Sequence, residues 1–343
     1  SLSRRQRQMC IRDRLSTFVI PTQVQDVVTI SGSMLGGMLF SDNNKIPSLT
    51  SSMLDKGTRN NSKHEISNQL ESIGAEISFV SSNRHINFTA HCLKSNIDIV
   101  VRLIAEQLKE PTFPEDELLT LKKRMIANLE VSKDDTKKQA LINFLREIYP
   151  KGHYNRRSTI EDSINNIRSV QTNDLIHFYE QAYGLGTLKI AAAGDIPNDL
   201  FSTLIKTHFD GWGEQAVQQL DGCTSLNERK PSRLNKKIND KTSSDVYIGQ
   251  TLDLSESNEA YLGLMMGVYI LGGNFSARLM QTVRDEQGLT YGIGSTIAGC
   301  AYDTKGHWHT WGTFSPKLVD KGITSTVEAV SYTHLRAHET QTH

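Results

Sequence analysis

The same order of local texts occurs twice in this chain. Residues 24–35 (VQDVVTISGSML) alternate β-branched with polar positions and close on Gly36-Gly37, which predicts a strand and a turn, and a helix follows. Residues 245–254 (DVYIGQTLDL) restate that strand, 258–271 restate a helix and 289–298 restate a strand, at an offset of about two hundred residues. A chain that repeats one supersecondary order at that distance is expected to hold two domains of one type, and its 343 residues suffice for both.

The first copy is the fuller one. Ser62 and Glu65 have the spacing of a capping box, and Ile66, Leu70 and Ile73 form the buried stripe of the helix that Gly74 ends. Residues 75–80 and 85–91 alternate in period two around the polar stretch 81–84, as an antiparallel hairpin does. Ser95 and Asp98 open a helix that Pro111 and Pro114 stop, and 115–148 carry one long helical pattern through Leu118, Leu121, Met125 and Leu129. A strand at 188–193 precedes Gly194-Asp195. The expected fold class is α+β: two similar domains, each with an antiparallel sheet packed on helices. The first spans 15–213; a polar stretch, 214–242, is the linker; the second spans 243–330 and is cut short near Val330.

Composition bounds the function classes. The chain has 38 Lys+Arg against 38 Asp+Glu, so it carries no basic field for nucleic acid, and no apolar stretch is long enough to span a membrane. Residues 1–14 (SLSRRQRQMCIRDR) have no apolar period, and RRQRQMCIRDR at 4–14 and SYTHLRAHET at 331–340, back-translated, resemble the two arms of a sequencing-library adapter. Both ends, 1–14 and 331–343, are therefore set aside as non-native, as an expression tag would be. Of the four cysteines, Cys10 leaves with them; Cys92, Cys223 and Cys300 share no motif spacing and are expected to be buried small apolar groups.

Several longer phrases carry a resemblance: IPSLTSSMLDKGT at 46–58, SIGAEISFVSS, LKEPTFPEDELLTLKKR, YPKGHY at 149–154, LKIAAAGDI, and LGGNFSARLMQTVRDEQGLTYGIGS at 271–295. Across nearly all of 15–330 the chain resembles the insulinase/pitrilysin zinc metallopeptidases, a group that includes the mitochondrial processing peptidases and the bc1 core proteins. The resemblance implies a clamshell half, four such domains enclosing a peptide. Catalytic members carry HxxEH, in which two imidazoles hold zinc and the glutamate activates water. Aligned on MLDKGT, those places are Ser48, Ser51 and Ser52, and the downstream glutamate ligand falls at Asn128, with Glu130 two places off as a solvent-facing helix charge. Serine hydroxyls are poor zinc ligands and cannot act as general base near neutral pH, so no metal is expected on this chain.

What the resemblance retains is Arg284 and Tyr291, matching the family's pair that reaches a zinc site on the catalytic half. There the tyrosine stabilises the oxyanion and the arginine holds the substrate main chain. The expectation is a non-catalytic half or partner subunit, inactive alone, that binds peptide and serves an HxxEH-bearing half holding zinc. The alternatives are a scaffold like the bc1 core proteins and a stand-alone peptide-binding module. A bacterial envelope setting is the resemblance's implication for location. Other signals read as structure: Gly272-Gly273 as a close backbone approach, His64-Glu65 as helix-start chemistry, His153-Tyr154 as structural, and His307 with His309 as half-exposed sheet residues lacking a third ligand. The hairpin strand 85–91 offers an edge for an added peptide strand.

Overall fold

The computed structural model describes residues 7–9, 16–217, 226 and 230–339. Along the chain these form β1 (Arg7–Met9), β2 (Ser16–Pro21), β3 (Val27–Leu35), α1 (Lys45–Met53), α2 (Lys63–Ser72), β4 (Glu76–Ser81), β5 (His85–Leu93), α3 (Ile97–Lys109) and α4 (Glu115–Ser132). They continue as α5 (Thr136–Ile148), α6 (Ile160–Ser169), α7 (Thr172–Ala182), β6 (Lys189–Gly194), α8 (Asn198–Phe209), β7 (Ser244–Thr251), α9 (Tyr261–Gly272), a π-helical segment Met280–Glu286, β8 (Thr290–Ala298), β9 (His307–Phe314) and α10 (Val319–Glu339). The chain divides into two compact units, 1–127 with 163–220, and 128–162 with 221–343. The fold is α+β with helices on largely antiparallel sheets, as expected.

The first unit is built on a six-stranded sheet in the order β1-β2-β6-β3-β5-β4, antiparallel except for β2 with β6. Period-two alternation puts Val28, Ile30 and Met34 of β3 and Ile86, Phe88, Ala90 and Cys92 of β5 on one buried face. Gly32 lies opposite Phe88, and the absence of a Cβ lets that ring lie over the strand. Helix α3 covers this face with Val100, Val101, Ile104 and Leu108, spaced to share one side of the helix. Burying each such side chain stabilises the unit by about 1.5–3 kcal/mol. At α2 the capping box forms, Glu65 Oε2 accepting from the Ser62 amide at 2.7 Å.

Two expectations change here. The pattern across 115–148 is not one helix: Asp135 caps a new one, its carboxylate accepting from the Lys138 amide at 2.9 Å, and Thr136 starts α5. A helical period carries no mark where the phase restarts, so the cap is the only local sign. Asp135→Ala should lower the stability of the second unit by about 1 kcal/mol in urea unfolding, whereas an unchanged midpoint would show the cap to be idle. The second change is one of membership, since 128–162 pack with the second unit although chain order suggested the first.

The second unit has a three-stranded antiparallel sheet, β7-β9-β8. Helix α5 is fastened to it by Phe144 stacked on Tyr247, by Thr136 Oγ1 at 2.5 Å from Asp245 Oδ2, and by Lys137 over the Trp311 ring. The alternate face carries Ile293 and Phe314 against Leu271 of α9, Val283 and Ala329 of α10. Part of the polar linker lies along α5, with Lys236 Nζ donating to Gln139 and Ser232 to Glu147. At the ends that were set aside, Arg7–Met9 pair as an edge strand on β2, and α10 runs on to Glu339. Cys10 and Cys223 lie outside the described residues.

Candidate functional site

Tyr291 stands where the ladder of the second sheet breaks. Thr290 pairs with Phe314 and Gly292 with Thr313, so Tyr291 is the extra residue of a β-bulge and is 93% exposed. The Thr290 hydroxyl braces the bulge, 2.5 Å from the Thr313 carbonyl and accepting from the Gly292 amide at 3.2 Å. Gly288, at φ 61°, turns the chain from the π-helical segment into β8. Arg284 is in the last turn of that segment, its guanidinium 6.0 Å from the Phe275 ring centroid and 3.6 Å from Asp285. Phe275 and Tyr291 line one groove of about 570 Å³ with Met265, Tyr269, Met280 and Trp311, and no charged side chain lines it. Arg284 itself does not line the groove; it lies beside Phe275, which does. Gly272 ends α9 against β8, where a Cβ would meet the Ser295 amide nitrogen at 2.6 Å, the close approach expected of that glycine pair.

The serine positions lie together on α1, and their chemistry is spent locally. Ser51 is buried and its hydroxyl donates to the Ser48 carbonyl at 3.0 Å; Ser48 and Ser52 are half-buried. Asn128 is exposed on α4, and Glu130 pairs there with Lys133 at 2.6 Å. These residues do not fit a zinc ion, because they offer neutral hydroxyls and an amide where imidazole and carboxylate are needed. Among the described residues no group of three or more His, Cys, Asp or Glu is disposed to hold a metal. Cys92 and Cys300 are buried as expected, and burial pushes the Cys92 thiol up to about 11, far from reactive thiolate character.

The histidines of β9 are not half-exposed. His307 and His309 are 4% and 7% exposed, stacked with ring centroids 5.1 Å apart under Phe144 of α5. Tyr149 lies edge-on to His307, and His153 stacks on Tyr149 at 4.2 Å. Asn155 Nδ2 donates to the Tyr149 hydroxyl at 3.2 Å and to the Gly299 carbonyl at 2.9 Å, and the Tyr149 hydroxyl is hydrogen-bonded to His307 Nδ1 at 2.9 Å. Burial holds His307 down to about 3, helped by the repulsion of His309, Arg157 and His153, and holds His309 down to about 4. Sequence alternation shows that 307 and 309 share a face; it carries no sign that a distant helix covers that face.

Two family models match the chain: insulinase (peptidase family M16) over residues 41–162, and the peptidase M16 inactive domain over 169–315. The chain belongs to the insulinase family. A zinc protease of Mycobacterium leprae, itself uncharacterized, is 22% identical over 71% of this chain and 55% of its own length. A non-peptidase homolog of Helicobacter pylori is 22% identical over 80% and 63%. The chain therefore spans only a little over half the length of such relatives. A crystal structure of a peptidase M16 inactive domain from Pseudomonas fluorescens superposes with a TM-score of 0.80 at 19% identity, covering 93% of this chain and 76% of that one, which establishes a shared fold.

Proposed function

We propose that this insulinase-family chain is the non-catalytic half of a zinc endopeptidase. It binds the peptide and presents Arg284 and Tyr291 to a zinc site held by a partner half that carries HxxEH. The observation that carries the reading is the bulge at Tyr291. A phenol held out from a braced strand end, with no hydrogen bond to any described residue, is a donor kept free for something outside its own unit. The serines at 48, 51 and 52 support the assignment of zinc to the partner. In this role Tyr291 donates to the oxyanion of the tetrahedral intermediate, and Arg284, steadied over Phe275, holds the substrate main chain. The match to a non-peptidase homolog favours a second reading, a scaffold that cuts and binds nothing.

Zinc content and peptide hydrolysis separate these. The chain should be assayed with His334, His338 and His343 replaced by alanine, so that the tail cannot take up metal. The expected result is no stoichiometric zinc and no cleavage alone, measurable peptide affinity, and cleavage once an HxxEH half is added. Chelator-sensitive cleavage by this chain alone would sink the proposal, and absence of peptide affinity would leave the scaffold.

A further inference from the structure

Gly292 and Thr313 are partners in the register of β8 and β9, yet a third group stands between their backbones. The Gly292 amide donates to the Thr290 hydroxyl at 3.2 Å, and the same hydroxyl lies 2.5 Å from the Thr313 carbonyl and 2.9 Å from the Gly292 carbonyl. A threonine has one hydroxyl proton, and its nearer acceptor is Thr313. The connection therefore runs from amide to hydroxyl to carbonyl, where a β-ladder runs directly from amide to carbonyl. That inserted oxygen lies beside the extra residue of the strand, Tyr291.

The surroundings leave the strand no other way to absorb the insertion. Thr290 is buried, and Leu289 and Ile293 on either side of the bulge both belong to the core of the second unit. A slip of one residue would carry Ile293 out of that core. Filling the site does not call for a hydroxyl, since valine has the same branching at Cβ and is the better suited to burial. The stretch is also tied to Arg284. The Gly288 amide donates to the Arg284 carbonyl at 2.9 Å and the Leu289 amide to the Val283 carbonyl at 3.0 Å, around Gly288 at φ 61°. Backbone bonds thus run from the turn that carries Arg284 to the residue before Thr290, and the Thr290 side chain extends the constraint past Tyr291.

We infer that Thr290 is a positioning residue for Tyr291: its hydroxyl, inserted between β8 and β9, holds the bulge open and sets the direction in which the phenol is presented. The inference rests on the proposed role of Tyr291 as an oxyanion donor. Thr290 acts through the ladder and touches no substrate. Misplacing a catalytic group by about 1 Å costs on the order of 10²-fold in rate, so closing this spacer should be felt in turnover before it is felt in binding.

The parent, Thr290→Val, Thr290→Ser, Tyr291→Phe and the double variant Thr290→Val/Tyr291→Phe are each combined with the HxxEH half, and kcat and KM are measured on one fluorogenic peptide that the parent pair cleaves. Thr290→Val should lower kcat by about 10–10²-fold with KM nearly unchanged, Thr290→Ser should restore most of the turnover, and Thr290→Val should cost nothing further in the Tyr291→Phe background. Unchanged kcat in Thr290→Val, an equal fall in Thr290→Ser, or losses that multiply in the double variant would each overturn the inference.

A second measurement needs no partner. With Cys10 and Cys223 changed to serine, Cys92 and Cys300 are buried, and Tyr291→Cys places a reporter thiol at the tip of the bulge. That thiol should react about threefold more slowly when combined with Thr290→Val than with Thr290 or Thr290→Ser, as the closed ladder draws residue 291 against the strand. Cys300 should stay unreactive throughout, the mark of an intact unit; Thr290→Ala, which also lacks the hydroxyl, takes the place of Thr290→Val if it does not. Equal labelling rates would overturn the spacer whatever Tyr291 does. Slowed labelling beside an inert Tyr291→Phe would sink the donor role of Tyr291 and leave the spacer standing.

Discussion

Acidification from pH 8 to pH 5 should loosen the second unit by about 4 kcal/mol and leave the first largely intact. His307 and His309 titrate at about 3 and about 4 in the folded unit against 6.5 when unfolded, so below pH 6.5 the unfolded chain binds more protons. Stability that is complete above pH 6.5 is therefore lost as pH falls, and the loss levels off only below pH 4 to 3. At pH 5 each ring is 1.5 units below its unfolded pKa, and at about 1.4 kcal/mol per unit the two together cost about 4 kcal/mol. No carboxylate offsets the charge among the groups that press on His307, which are His309, Arg157 and His153. His153, lowered by burial as well, adds in the same direction. His153 Nδ1 accepts from the Asn155 amide at 3.1 Å, and His309 Nδ1 is buried without a partner among the described residues, so a proton added to either nitrogen meets no acceptor. Hydrogen exchange, corrected for intrinsic rates, should show protection of β9 and α5 falling by up to a thousandfold at pH 5 while β5 keeps its own. Equal loss in both sheets, or none in β9, would remove the histidine cluster as the cause. His309→Asn should flatten about half of the dependence.

That cluster also marks where sequence reasoning stops. The capping box at Ser62 and Glu65, the hairpin of β4 and β5, the repeat of strand order and the glycine pair ending α9 are all local patterns, and local patterns can be read along a chain. Membership of α5 in the second unit is not local. It depends on Phe144 meeting His307 and His309, residues far apart in sequence, and helical periodicity says which side of α5 is apolar without saying which sheet receives it. The burial of His307 follows from the same contact. Tyr291 shows a finer gap: the phrase around it points to the residue, but only strand register shows that a bulge turns it outward. The serines of α1 are read as standing at ligand positions only through the family resemblance; residue type adds that hydroxyls are poor zinc ligands, and the Ser51–Ser48 bond shows where one hydroxyl's hydrogen goes.

Replacing Tyr291 by phenylalanine should lower turnover of the reconstituted pair by about 10²–10³ while peptide affinity stays nearly unchanged. The magnitude is that of removing one oxyanion donor, whose hydrogen bond strengthens as negative charge develops and contributes little to the ground state. A stability artefact is excluded by position. The phenol makes no hydrogen bond to a described residue, the side chain is 93% exposed, and the bulge is held by Thr290 and Gly292, which the substitution leaves in place. Melting of Tyr291→Phe should therefore match the parent within about 0.5 kcal/mol, the range of ordinary surface substitutions. Turnover measured against the same HxxEH half then isolates the hydroxyl. If kcat is unchanged, Tyr291 has no part in the chemistry, and the bulge must serve peptide binding or packing. If kcat and affinity fall together, the phenol holds the substrate in its ground state, a role the proposal gives to Arg284. Only a fall confined to kcat fits a donor aimed at a charge that exists in the transition state and not before it.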